Sequence, residues 1–407
     1  MTQILLHNAR LLDCTGGDPQ AGASVLGDDG RIAAVSSEPL TARDGARVID
    51  CGGMTLMPGL TDAHVHFGLT EDGEQGPPES YVSYVVKVIE NIGIALDEGF
   101  TTVRDAGGLD PAYAIAVEDG QIRGPRILPS GSFITQTGGH GDQRPRWDER
   151  PLHSIPGLIA HSEVCDGPDE VRRAARLQLR HGATQVKLMA SGGVMSPTDP
   201  IDSLQFSVGE MRAAVEEAES FGTYVLAHCH TSGAVNRALD AGVRSIEHGS
   251  IIDAATASRI AEAGAYLVPT LVIIEILRRA GGVPEFARTK LERVRGAMRA
   301  SLALARDAGV PIGSGSDLLG PRQRRRASEI VEKAKEMGSM QALVSATATN
   351  AALFRMQDRI GTIQEGKDAD LILVAGDPVA DPAVLVDASN IRLVLKQGAV
   401  VKDCVGL

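Results

Sequence analysis

Hydrophobic and polar positions follow three regimes along the chain. Over 4–7, 24–26, 32–35 and 47–49, short aliphatic runs are broken at close intervals by Gly, Asp and Pro, a pattern that predicts strands and turns rather than helices. The style returns over 370–374, 391–396 and 399–402. Two β-rich ends around a different middle predict that the termini meet in one small discontinuous β-sandwich, made of residues 1–56 and 359–407. In between, short apolar runs at 56–66, 101–105, 126–134, 184–190, 223–230, 245–248, 266–270 and 311–317 alternate with helical stretches at 79–98, 168–181, 208–221, 233–241, 253–263 and 285–308. Gly99, Gly182, Gly222, Gly242, Gly264 and Gly309 each fall just past a helix, where a left-handed cap is wanted. A repeated helix–Gly–strand unit counted through eight strands predicts a (β/α)8 TIM barrel over 57–358.

Composition agrees with that architecture and narrows the function. The 407 residues are 43% hydrophobic and 23% charged, enough for a barrel of about 250–300 residues with material to spare. Aromatic residues are only 3% and the net charge is −12, which argues against stacking platforms and phosphate-backbone binding, so no nucleic-acid partner is expected. Five cysteines (Cys14, Cys51, Cys165, Cys229, Cys404) include no CxxC pair. That disfavours a disulfide framework or a zinc–cysteine site and favours a reducing, cytoplasmic setting. No signal-peptide pattern opens the chain, and no run approaches the roughly 18 apolar residues of a membrane span. The basic run at 322–326 reads as a solvated helix start or a subunit contact.

Chemistry concentrates at the ends of the expected strands. Of ten histidines, His64, His66, His228, His230 and His248 close such strands, and this barrel carries its active site at the C-terminal strand ends. His64 and His66 form an H-x-H pair, and strand alternation turns both imidazoles to one side. Neutral imidazole is a common ligand for zinc and similar metals. Asp317 closes the eighth strand, where a carboxylate can bind metal and accept a proton; the bland alternative is a helix N-cap. Lys187 interrupts the apolar run Gln-Val-Lys-Leu-Met-Ala, a costly place for an amine without a partner. It reads either as a snorkelling surface lysine or as an amine that takes up carbon dioxide to form an anionic bridge between two metals. Gly313-Ser314-Gly315 lacks the further glycine and the lysine of a phosphate loop.

Taken together, Met-Pro-Gly-Leu-Thr-Asp-Ala-His-Val-His (57–66), the lysine strand at 187, Ala-His-Cys-His (227–230), Ile-Glu-His-Gly (246–249), Gly-Ser-Asp (315–317) and the tail at 361–373 resemble the amidohydrolase superfamily over nearly the whole chain. The resemblance implies two divalent metals, zinc before manganese or cobalt. His64, His66 and Asp317 would hold the more buried ion, His228 and His248 the outer one, and N6-carboxylated Lys187 would bridge them. Ala-Ser-Gly-Gly-Val (190–194) and Thr-Gly-Gly-His-Gly-Asp (137–142) look like the prolidase-like subgroup, which includes Xaa-Pro dipeptidases, carboxypeptidases and ochratoxin-type amidases.

That subgroup implies hydrolysis of an amide joining an acyl group to a C-terminal amino acid, by metal-activated hydroxide. The expected substrate is a small molecule or dipeptide, such as an Xaa-Pro dipeptide or an N-acyl amino acid. Asp317 would shuttle the proton. His140 would polarise the substrate or steady the oxyanion, and His140 and His230 would contact the substrate; His230 stands where relatives commonly carry a tyrosine. A homo-oligomer is expected, with no membrane partner. The alternatives are a hydrolase of cyclic amides or imidazolone-type rings, against which Lys187 counts, a hydrolase of aryl amides, and a barrel that keeps assembly and has lost chemistry, against which the intact ligand positions count.

Overall fold

Strands from both ends of the chain share one sheet. The computed structural model describes residues 3–71, 78, 80–280 and 283–405; the outermost residues of the expected sandwich segments and Glu79, the expected start of the 79–98 helix, lie outside them. By internal contacts the chain divides into two units, one of residues 1–62, 92–103 and 324–407, the other of 63–91 and 104–323. In the first unit an eight-stranded sheet runs Ala399–Asp403, Ile391–Lys396, Leu371–Val374, Thr55–Pro58, Ile4–Leu11, Gln20–Asp28, Arg31–Ser36, with Arg47–Asp50 pairing Ile4–Leu11 as well. The join between the ends is the antiparallel pair Leu371↔Pro58 through Val374↔Thr55. The apolar side chains of these strands, among them Leu6, Val25, Leu56, Leu371 and Leu393, pack into one core. Burying alternate residues of each strand is the term that makes such short strands stable.

The second unit contains a wholly parallel six-stranded sheet in the order Glu163–Val164, Ile134–Thr135, Val186–Met189, Val225–Thr231, Ser245–Ile251, Tyr266–Val268. Helices Gly167–His181, Val208–Ser220, Ser232–Ala241 and Ala254–Glu262 form its crossovers. Their starts and stops follow local chemistry. Ser207 and Glu210 close a capping box on Val208–Ser220, and Asp253 caps Ala254–Glu262. Gly182 ends Gly167–His181 at φ 103°, a conformation with little cost only for glycine. A third sheet takes Leu60–Val65, Phe100–Asp105 and Arg126–Pro129 in that order.

Three expected strands differ from the observed chain, the run at 126–134 being split into Arg126–Pro129 in the three-stranded sheet and Ile134–Thr135 in the six-stranded one. The run at 56–66 is two strands, Thr55–Pro58 in the terminal sheet and Leu60–Val65 in the three-stranded one. Gly59 sits between them against Thr101, whose Oγ1 would lie 2.0 Å from any Cβ. Among the described residues, the run at 311–317 forms only the bridge Leu267↔Ile312. Its backbone is held on both sides nonetheless: Gly313 N–H donates to Leu267 O at 2.8 Å, Ala63 N–H to Ser314 O at 2.7 Å and Asp317 N–H to His64 O at 2.8 Å. Among the described residues, no helix is long and apolar enough to cross a membrane.

Candidate active site

The H-x-H pair at the end of Leu60–Val65 is supported by two charged residues, Arg104 on the neighbouring strand Phe100–Asp105 and Glu247 on Ser245–Ile251. His64 Nδ1 lies 2.7 Å from Glu247 Oε2. The other Glu247 oxygen takes 2.8 Å from an Arg104 guanidinium N–H and 2.5 Å from the Ser245 hydroxyl. Arg104 also donates to Ala63 O at 2.6 Å, and both Arg104 and Glu247 are fully buried. Burial pushes the Glu247 carboxyl up, but Arg104 and His64 outweigh it and bring it down to about 2. An ionised carboxylate only accepts, so Nδ1 of His64 carries the proton and Nε2 carries the lone pair. His66 is oriented the same way, with Nδ1 donating to Gly107 O at 2.8 Å.

Three acceptors therefore converge. His64 Nε2 and His66 Nε2 are 3.1 Å apart, and Asp317 Oδ1 lies 3.2 Å from His66 Nε2 and 3.6 Å from His64 Nε2. Burial, with Lys187 nearby, holds His64 down to about 4 and thus neutral at pH 7. Lone pairs packed this closely fit a divalent cation among them, and their atoms all lie within 4.8 Å of one another. Asp317 is held at φ 55° and His248 at φ 74°, left-handed backbone that non-glycine residues adopt at a cost of about 1–2 kcal/mol.

Lys187, on Val186–Met189, is 1% exposed. Burial takes its amine down to about 8, against the pull of Glu247 and Asp317. His228 and His230 share Val225–Thr231, and His248 comes from Ser245–Ile251. Ring centroids of His228 and His248 are 4.6 Å apart, and those of His230 and His248 5.0 Å. His248 Nδ1 is 2.7 Å from Thr270 Oγ1, His230 Nδ1 3.2 Å from Ser250 Oγ, and His228 Nε2 3.3 Å from Gly192 O. Burial lowers all three imidazoles, His230 to about 3.

His140 stacks on His228 at 4.3 Å. Its Nδ1 is 2.9 Å from Ser196 Oγ, whose other acceptor, Gly193 O, is farther at 3.4 Å. Where the hydroxyl donates to Nδ1, Nε2 carries the N–H and can act as a donor. Burial lowers His140 to about 4.

His64, His66, His140, Lys187, His228, His230, His248 and Asp317 all line a single cavity of about 360 Å³. Its remaining wall is largely apolar, with Phe133, Val194, Ile273, Ile274 and Leu277 prominent. The chain brings every sequence-proposed site residue together here. Arg322 lines it too, and Gln323 donates to His66 O at 2.9 Å. In the first unit, Arg326 is 1% exposed, and its backbone N–H, with that of Arg325, donates to the Glu98 carboxylate. The 322–326 run is thus solvated only in part: Arg324 and Arg325 are exposed, Arg326 is buried, and the helix begins at Ser328. Residues the sequence reading passed over are Glu247, Arg104, Ser196 and Thr270. Glu247 and Arg104 carried a signal, since each is a charge inside an apolar strand, the argument applied to Lys187.

Comparison with known proteins gives one consistent picture. The profile of the amidohydrolase family matches residues 55–401. The chain is 32% identical to the ochratoxinase of Aspergillus niger over 98% of this chain and 87% of that protein. A solved prolidase complexed with N-methylphosphonate-L-proline shares 40% identity at TM-score 0.93, covering 99% of this chain and 100% of that one. A Xaa-Pro dipeptidase with methionine bound in its active site shares 31% identity at TM-score 0.88, covering 98% and 100%.

Proposed function

This chain belongs to the prolidase-like subgroup of the amidohydrolase family and is a hydrolase of amide bonds, and from that premise we propose that it cleaves the amide joining an acyl group to a C-terminal amino acid. The observation that carries the proposal is the convergence of His64, His66 and Asp317 on one point, at the base of a cavity that Lys187, His228 and His248 also line. His64, His66 and Asp317 would hold one divalent ion, most suitably zinc, and His228 and His248 a second. Lys187, carboxylated on its side-chain nitrogen, would bridge them; burial favours the neutral amine that this modification needs. When bound, such ions supply Lewis-acid polarisation of the scissile carbonyl and a water whose pKa is lowered toward neutrality.

The chain's own groups do the rest. Asp317 takes the proton from the attacking water and returns it to the departing amine. Its carboxyl is ionised and so able to accept: burial raises its pKa, but His64, His66 and Lys187 outweigh that and keep it below its usual range. His140 aims its Nε2–H at the developing oxyanion. His230, with Nδ1 engaged by Ser250, leaves Nε2 for the substrate. The apolar wall of Phe133, Ile273, Ile274 and Leu277 suits an apolar side chain, and 360 Å³ suits a dipeptide or N-acyl amino acid rather than a longer peptide. Domain limits of 1–56 and 359–407 for a β-sandwich and 57–358 for a (β/α)8 barrel belong to the same reading. It is supported by the shared terminal sheet and by the backbone bonds on both sides of 311–317. A cytoplasmic homo-oligomer completes it, with five free cysteines compatible with a reducing compartment.

The test is a library of Xaa-Pro dipeptides and N-acetyl amino acids, each paired with its C-terminal amide. Losing the carboxylate strands its buried donors, at roughly 1–3 kcal/mol, so kcat/KM for the amides should fall about ten- to a hundredfold. Equal cleavage of acid and amide would move cyclic-amide or aryl-amide substrates to the front.

A further inference from the structure

His140 owes its orientation to a loop that one lysine holds. Residues 191–200 follow Val186–Met189, and Val194 and Met195 among them line the cavity. A Cβ on Gly193 would lie 2.1 Å from the His140 ring, and one on Gly192 1.9 Å from Pro200 O, so this backbone lies directly against the imidazole and against itself. The loop includes no regular helix or strand that would fix its carbonyls. Three of them, Gly193 O, Ser196 O and Asp199 O, instead accept from the single ammonium of Lys290, at 3.0, 2.7 and 2.6 Å. These use all three N–H donors of the lysine. Lys290 stands on Glu285–Asp307, a 23-residue helix buried along Ala287, Leu291, Val294 and Met298, so its anchor is rigid.

The fixed loop reaches His140 by two routes. Ser196 presents its hydroxyl to Nδ1. The Asp199 side chain accepts from Gln205 Nε2 at 2.8 Å, while Gln205 Oε1 takes the His140 backbone N–H at 2.8 Å.

We propose that Lys290 is a positioning residue for catalysis: by gathering the carbonyls of Gly193, Ser196 and Asp199 it holds Ser196 where it sets the His140 tautomer, and so keeps Nε2–H directed at the substrate carbonyl. The inference rests on the oxyanion role given to His140 above. An arginine could not replace the lysine fully, because its planar fork does not match three acceptors gathered around one point.

Lys290→Met, Lys290→Arg and His140→Ala are compared singly, and Lys290→Met also in the His140→Ala background, on a substrate that the wild type turns over. Lys290→Met should lower kcat about ten- to a hundredfold, the loss expected from misplacing a catalytic group by about 1 Å. KM should stay within about threefold, and Lys290→Arg should fall between Met and wild type. In the His140→Ala background the added loss should shrink to about twofold or less. Equal losses in both backgrounds overturn the inference. A His140→Ala enzyme as fast as wild type sinks the oxyanion role instead, and is recognised separately. The crystal structure of Lys290→Met gives a readout without activity: residues 193–199 should be displaced and Ser196 Oγ moved beyond about 3.5 Å from Nδ1. An unmoved loop with that contact intact overturns the inference.

Discussion

Glu247 holds the Nδ1 proton of His64 at 2.7 Å while its second oxygen rests on Arg104, and this contact turns the Nε2 lone pair of His64 toward His66. His64 is thus oriented by a charge that does not line the cavity. In the proposed metal site this contact would form a carboxylate–histidine–metal relay, which fixes the tautomer and raises the basicity of the ligand.

Replacing Glu247 by Gln keeps the shape and removes the charge, leaving the buried Arg104 guanidinium without its counter-ion. Metal affinity should drop about 10–100-fold, and the melting temperature should fall as well, because half of a buried ion pair is left uncompensated. Chelator titration of the variant against wild type reads the first effect and calorimetry the second; unchanged values in both would remove Glu247 from the site.

Lys187→Ala should lose the bridging group and much of the bound metal. Short carboxylic acids should restore part of the activity by occupying the vacated place. No response to acetate or propionate across a concentration series, or full activity without them, would remove the bridge. A crystal structure with Lys187 unmodified at full occupancy would do the same.

Asp317→Asn should leave the fold intact, since the backbone bond from Asp317 N–H to His64 O survives. Turnover should nonetheless fall by roughly 10³-fold or more, proton transfer and one ligand being impaired together. Activity within about tenfold of wild type contradicts the role.

A pH effect on stability is expected away from the site. Glu217 accepts from Arg176 and Arg172 at 2.6–3.0 Å, tying Val208–Ser220 to Gly167–His181. Arg176 draws its carboxyl below the usual 4.5, Arg172 adding to the effect over the opposing push of burial. A depressed folded-state pKa contributes stability that is present above pH 4.5 and is lost as pH falls through the lower folded value. Glu217→Gln should therefore cost under about 1 kcal/mol at pH 7, and its melting curves should converge with wild type below that window. A gap that is constant with pH would show that the carboxylate charge is not the source.

How much of this was legible beforehand depended on whether a residue's role is written in its own neighbourhood. His64, His66, His228, His248 and Asp317 sit at the ends of apolar runs, and a polar group that interrupts or closes such a run announces itself. The helices fell near their expected places because Ser207, Asp253 and the glycine caps are local signals. The 56–66 run read as one strand because nothing in its pattern records that Gly59 must pass against Thr101. Ser196 and Lys290 were invisible for a similar reason: an ordinary serine in a loop and a lysine on an amphipathic helix acquire meaning only when the chain brings residues 140, 196 and 290 together. Within the basic run at 322–326 the burial of Arg326 was not legible, because Glu98, which accepts from its backbone N–H, is more than 200 residues away in sequence.

Elemental analysis and activity measured on the same purified sample, before and after chelation, test whether two divalent ions serve amide hydrolysis. About two divalent ions per chain are expected, with loss of hydrolysis as they are stripped and recovery when zinc, manganese or cobalt is returned. Protein that hydrolyses its substrate at full rate with essentially no bound metal would contradict that expectation.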